Sequence, residues 1–421
     1  MTPPTPLDRR SLVLAALSTV VEWYDFTLFL YMATVLSRVF FVGSLWGGDA
    51  VLTALLGFAV AYLMRPIGAV AFGHLGDRRG RRTTLLASMA LMSAAMLATA
   101  CLPTVAQAGS LAGVLLLGLR CVMGFAVGGE YTGVVAYLLE GARADRRGFV
   151  TSMAAATSEI GGLLAAGAAA LTVSLMPPDL LDAWGWRLPF LLGAALAGAI
   201  LLARAAMAES PEFAANRQAG TLPERPLRHV LSRHRVGVLR GFAISALGSI
   251  TYYVGITYVP VYLTATGRLG EAEALQLATV AALAVIVVTP FVGLLSDRVG
   301  RRPVLVGLAV LAAAMPWPLF RLLAGASPHG AMAGAVLLAM LAGGVSAVGA
   351  VATAEQVPAQ ARLSGLALGA TSATALFGGL TPWLAQVLTT RTAAPAAPGV
   401  MIALVALCVL PVLWRLPEAR H

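Results

Sequence analysis

Two stretches decide the fold. Gly73-His74-Leu75-Gly76-Asp77-Arg78-Arg79-Gly80-Arg81-Arg82 and Gly293-Leu294-Leu295-Ser296-Asp297-Arg298-Val299-Gly300-Arg301-Arg302 share seven of ten residues at an offset of 220. Each follows a long apolar run and precedes another. A weaker echo lies beyond them. Glu140 and Arg147 are seven apart, as are Glu355 and Arg362. The chain therefore reads as two tandem copies of one unit, a common construction in secondary transporters.

Hydropathy sets the size of that unit. Of 421 residues, 59% are hydrophobic and 11% charged, against about 25% charged in a soluble domain. Mean hydropathy is +0.83. Spanning a bilayer takes roughly 20 apolar residues. Apolar runs lie at 11–40, 51–74, 83–104, 109–140, 148–176 and 186–207, then at 237–265, 271–295, 302–325, 329–354, 363–390 and 397–416. The long polar gap between the sixth and seventh predicts three parts: a six-helix bundle at 1–207, a linker at 208–236 and a second six-helix bundle at 237–421. The fold class is an all-α membrane protein of twelve transmembrane helices in two pseudo-symmetric halves.

Charge orients the helices and excludes whole classes of function. The formal charge is +10, and all 29 basic residues are Arg. Without Lys there is no Walker P-loop and no Schiff-base cofactor. In this apolar chain the basic charge reads as loop charge, not as a nucleic-acid surface. With both termini inside, 22 Arg fall on inner segments and 5 at outer ends, a clear positive-inside bias. Three Cys and five His are scattered, which predicts no metal or redox centre. Arg9-Arg10 before an apolar run has the look of a targeting signal. Glu22 and Asp25 interrupt that run, so it reads as the first span.

Further motifs narrow the reading. They are Glu22-Trp23-Tyr24-Asp25-Phe26, Arg65-Pro66-Ile67-Gly68, Gly128-Gly129-Glu130-Tyr131-Thr132-Gly133 and Trp184-Gly185-Trp186-Arg187-Leu188-Pro189-Phe190. With the doubled loop, they resemble the major facilitator superfamily over nearly the whole chain, and within it the metabolite:proton symporters. Tyr131 in its motif, Thr251-Tyr252-Tyr253 and Gly379-Leu380-Thr381-Pro382 are most similar to the proline/betaine transporters. The resemblance implies a secondary transporter working by alternating access, without enzymatic activity. It would import a small carboxylate-bearing solute with protons as the coupling ion. It would need no cofactor and would act as a monomer in the bacterial inner membrane. A proline- or betaine-type zwitterion is the leading substrate expectation. Di- or tricarboxylate symport and proton-driven efflux are the alternatives. Thr19-Val20 departs from the family pattern, and so does an acid at Glu159.

Ionisable groups inside spans are costly and mark function. They are Glu22, Asp25, Arg65, Arg120, Glu130 and Glu159, all in the first half. Glu22 and Asp25 are three apart and share a helix face. One of the four acids is expected to carry the proton, unless they serve as static partners of Arg65 or Arg120. An Arg fork matches a carboxylate, and Arg120 is preferred over Arg65 for the substrate. A structural ion pair is the competing role. Tyr131, Tyr252 and Tyr253 are candidates for an aromatic wall. The loops read as inner gates built from Gly73, Asp77, Arg78, Arg81, Glu140 and Arg147, and from Asp297, Arg298, Arg301, Glu355 and Arg362. Their acids would accept bonds from Arg or from a neighbouring helix N-terminus. The glycines at 124, 128, 129 and 133 predict close helix packing.

Overall fold

The computed structural model describes residues 9–41, 50–79, 81–128, 130, 144–205, 232–325, 327–357, 362–392 and 394–418, with the side chains of 9–18, 73–79, 81–82, 84–85, 144, 154, 157 and 362–363 left aside. The regular elements among these residues are all helices. Seven are long and apolar enough to cross a bilayer unaided. Two more spans are bent pairs. Arg235–Thr257 meets Val259–Ala265 at 42°, and Arg301–Ala314 meets Pro316–Leu323 at 45°. Pro260 and Pro316 sit just past these bends, where a missing N–H and a fixed φ break the helical ladder. The remaining spans have visible interruptions or are short. The first runs Arg9–Tyr31 and Ala33–Phe40 around Met32, and the third is Arg81–Ala100. The eleventh runs from Arg362 to Thr392 through two π-helical turns, Ala367–Thr371 and Ala375–Gly379.

The twelve spans thus fall close to where the apolar runs end. Most of the expected linker, and the expected fourth-span extension toward 140, lie outside the described residues.

Burial is inverted relative to a water-soluble protein. Leu175 and Leu202 are 78% and 76% exposed, while Asp25, Arg120 and Arg204 are 0%, 1% and 2% exposed. Apolar residues on the outside fit lipid, and charges inside must be paired. This is a multi-pass membrane protein.

Backbone contact fixes the helix carrying Arg65. A Cβ on Gly124 would stand 1.7 Å from the Ala61 carbonyl oxygen, and one on Gly128 2.3 Å from that of Arg65. Only glycine permits this approach of the second and fourth spans. Pro66 in the same stretch supplies no N–H to the Tyr62 carbonyl four residues back.

The two ends of the bundle are held differently. At the end bearing the repeated loops, here the basic end, the fifth span abuts the eighth. A Cβ on Gly148 would meet Ser296 Oγ at 2.6 Å, and one on Gly293 would meet Ser152 Oγ at 2.3 Å. Glu418 folds back there and accepts from the backbone N–H groups of Arg301 (2.6 Å) and Arg302 (3.2 Å), which caps the ninth span. At the opposite end Arg38 reaches two acids. It grips Asp182 of its own half bidentately, at 2.9 and 3.0 Å, and also pairs with Glu271 of the other half.

Candidate functional site

A cavity of about 140 Å³ lies between the halves. One water needs roughly 10–15 Å³ on the same measure, so the space suits a small metabolite. The first half contributes Glu22, Trp23, Arg65, Val127, Ala155, Ser158 and Glu159. The second half contributes hydroxyls and small apolar groups: Ser245, Ser249, Ser346, Thr353, Thr371 and Thr374 beside Gly248 and Gly349, with Tyr252 and Tyr253 above. The cavity runs toward the basic end, reaching Thr353 and Leu366, close to the helix ends at Glu355 and Arg362.

An aromatic layer closes it on the other side. Trp23 meets Tyr252 edge-on at 4.9 Å and stacks near Tyr253 at 6.2 Å. The Tyr62 and Tyr253 hydroxyls bond at 2.6 Å across the two halves. A Cβ on Gly379 would stand 2.2 Å from Tyr62 Cβ, so the second and eleventh spans also meet here. Tyr253 opens a π-helical turn, Tyr253–Thr257, closed by Tyr258 N–H donating to the Tyr253 carbonyl at 2.9 Å. Such turns displace side chains from helical phase and recur at functional sites.

Arg65 is the arginine of this cavity. Its guanidinium lies 4.2 Å from the Phe26 ring centre and 4.1 Å from that of Tyr62. This double cation–π contact holds the fork in place. Arg65 Nη2 stands 3.1 Å from Glu22 Oε1. Neither Glu22 oxygen makes a hydrogen bond of good geometry, although both are buried. Glu159 accepts a bond from the Tyr252 hydroxyl at 3.3 Å, from the other half.

Asp25 and Arg120 sit apart from the cavity walls. Arg120 donates to Asp25 at 2.8 Å and to Thr99 at 3.2 Å, with Phe29 under its guanidinium at 5.0 Å. This pair ties the first, third and fourth spans together. Arg120, preferred over Arg65 from the sequence, does not line the cavity, and Arg65 does. Glu130 pairs with Arg204 at 2.5 Å. Arg204, near the end of the sixth span, is 2% exposed.

Of the expected gate residues, Asp297, Arg301 and Glu355 lie together. Asp297 accepts from the N–H groups of Gly148 and Phe149, both at 2.8 Å, at the N-terminus of the fifth span. Arg301 donates to Asp297 at 2.7 Å and stands 3.6 Å from Glu355. An acid from one half thus caps a helix of the other, where the helix dipole adds to the bonds. Arg147 is half-buried nearby, and Arg298 is exposed. Tyr131 and Glu140 lie outside the described residues, as do the side chains of Gly73, Asp77, Arg78, Arg81 and Arg362. Sequence reasoning missed three features: the Arg38 bridge, the burial of Arg204 and the hydroxyl wall. Ser245 and Ser249, four apart, had offered a signal for the last.

Two helical halves around a central polar cavity, with bridges at both ends, are the construction of a membrane transporter. The chain belongs to the family of sugar (and other) transporters of the major facilitator superfamily, whose pattern matches residues 11–225 and 218–421. It is a transporter and not an enzyme. It is 32% identical to the citrate-proton symporter of Klebsiella pneumoniae, over 92% of this chain and 87% of that protein. It is 33% identical to the alpha-ketoglutarate permease of Escherichia coli K12, over 89% and 86%. It is 31% identical to the proline/betaine transporter of Salmonella typhimurium, over 90% and 77%. Among solved structures, the proton:xylose symporter XylE bound to 6-bromo-6-deoxy-D-glucose superposes with a TM-score of 0.80 at 19% identity, covering 97% of this chain and 96% of that one. The partially occluded inward-open form of XylE from E. coli gives 0.78 at 20%, covering 98% of each. These likenesses show the fold.

Proposed function

We propose that the protein is a proton-coupled symporter of a small carboxylate-bearing metabolite, a zwitterion of the proline or glycine betaine type. The observation that carries this reading is the charge inventory of the cavity. One arginine, Arg65, and two acids, Glu22 and Glu159, line it beside an aromatic wall. A substrate with two or three carboxylates needs more than one cationic partner, and Arg120 is committed to Asp25. The citrate and alpha-ketoglutarate relatives keep the dicarboxylate reading as the second one.

In this scheme Arg65 takes the substrate carboxylate and Glu22 the proton. The two already compete for each other at 3.1 Å. A proton on Glu22 releases Arg65 for the substrate, and a substrate on Arg65 makes Glu22 easier to protonate. The coupling follows from that exchange of partners. The basic end faces the cytoplasm of a bacterial inner membrane, with both termini there. The present shape is then closed outside by the aromatic layer and Arg38, with the cavity reaching inward.

The test is uptake by proteoliposomes under an imposed inward proton gradient, with and without an uncoupler. Labelled proline and glycine betaine are compared with citrate and α-ketoglutarate. Uncoupler-sensitive accumulation of proline or betaine is expected. Accumulation of the carboxylates alone replaces the substrate assignment. Accumulation of none of them, with outward movement of a solute instead, replaces import by efflux.

A further inference from the structure

Most buried acids of the described spans have an arginine beside them. Glu22 has Arg65, Asp25 has Arg120, Glu130 has Arg204 and Asp297 has Arg301. Glu159 stands out among the described residues because no ion pair reaches it. It is 5% exposed and lines the central cavity. Among the described residues, its carboxylate accepts the 3.3 Å bond from the Tyr252 hydroxyl. A carboxylate so placed is expensive to keep without a counter-ion. The missing cation has room to arrive from the cavity, and aromatic rings already stand there. Tyr252 and Trp23 lie edge to face at 4.9 Å and both line the same space.

We infer that Glu159, with Tyr252 and Trp23, forms the subsite for the cationic nitrogen of the transported solute. A quaternary ammonium has no N–H to donate, so it is held by charge and by π faces. A secondary ammonium adds a hydrogen bond to the carboxylate. Arg65 receives the carboxylate pole, and the two poles together select a zwitterion over a plain carboxylate of the same shape. This rests on the proposed zwitterion symport and assigns its specificity to one residue.

The test separates nitrogen recognition from proton coupling. Full-length protein in detergent is titrated with glycine betaine and with 3,3-dimethylbutanoate, in which carbon replaces the charged nitrogen. Binding is read as ligand-induced thermal stabilisation, with no proton gradient. In the wild type betaine is expected to bind more tightly. Glu159→Gln should weaken betaine by about tenfold or more, the scale of a lost charge-assisted contact. The isostere should bind no more weakly than before. Glu159→Asp should retain the preference. If Glu159→Gln is poorly folded, Tyr252→Ala supplies the same readout, because it removes a π face and leaves the acid. Unchanged betaine affinity in Glu159→Gln, with proton-driven accumulation lost, would overturn the subsite and make Glu159 a proton carrier. A wild type that binds citrate and neither betaine nor proline overturns both the subsite and the zwitterion reading.

Discussion

Arg65 and Arg120 are the same residue type in neighbouring spans, and the structure gives them opposite surroundings: Arg65 lines the cavity and Arg120 does not. Arg120 is sealed against Asp25, Thr99 and Phe29. Arg120→Gln strands a buried carboxylate, with an expected stability loss of about 3–5 kcal/mol. Thermal unfolding in detergent measures it, and the double change with Asp25→Asn should restore much of the loss. Arg65→Lys keeps the charge but loses the planar fork and its stacking on Phe26 and Tyr62. We expect folded protein with substrate affinity reduced about tenfold, a loss of one bidentate contact. Glu22→Gln should abolish proton-driven accumulation while exchange of substrate across the membrane persists, as counterflow will show. The six intramembrane charges were legible in the sequence because hydropathy isolates them. Their pairing was not. Which arginine faces the cavity depends on helix phase and on which spans adjoin, and a string of residues carries neither. The burial of Arg204 was hidden for a similar reason. A charge near a span end looks like a loop charge until Glu130 is seen beside it.

Spans were the most readable elements, since long apolar runs between arginine clusters leave little choice of boundary. Their irregularities were hidden. The π-helical turns of the seventh and eleventh spans depend on local hydrogen-bond choices that hydropathy does not record. They also place Tyr253, Ala370 and Thr371 at the cavity. The latch between the eighth span and the fifth was half visible. The doubled Asp–Arg spacing announced an acid at a helix end, but only packing shows that it caps a helix of the other half. Asp297→Asn removes the charge from both backbone bonds and from the Arg301 pair. It should loosen the basic end. Ser245→Cys, in a background with Cys101, Cys121 and Cys408 replaced, reports this as faster labelling from that side.

At the scale of the whole molecule, the two ends oppose each other. The Arg38–Glu271 bridge and the Tyr62–Tyr253 bond hold the halves together away from the basic end. The Asp297 latch holds them at it. Alternating access requires that each set yield in turn. Glu271→Gln is therefore expected to shift the population toward the form open at the end opposite the loops. Faster modification of Thr264→Cys from that face, with slower modification of Ser245→Cys, is the signature. Unchanged rates at both positions would remove Arg38 and Glu271 from the gating scheme.

The hydroxyl wall has a consequence for how such proteins diversify. The halves began as copies, yet the cavity has divided their labour. Acids and arginine stay on one side, and Ser245, Ser249, Ser346, Thr353, Thr371 and Thr374 line the other. Exchanging a hydroxyl for a methyl there leaves the ion pairs of the first half untouched. Contacts to the body of a solute can thus drift in one ancestral copy while the charged groups stay fixed in its twin. Citrate and betaine carriers lie at similar sequence distance from this chain. Swapping second halves between them would exchange the hydroxyl wall and leave the charged side of the cavity as it was.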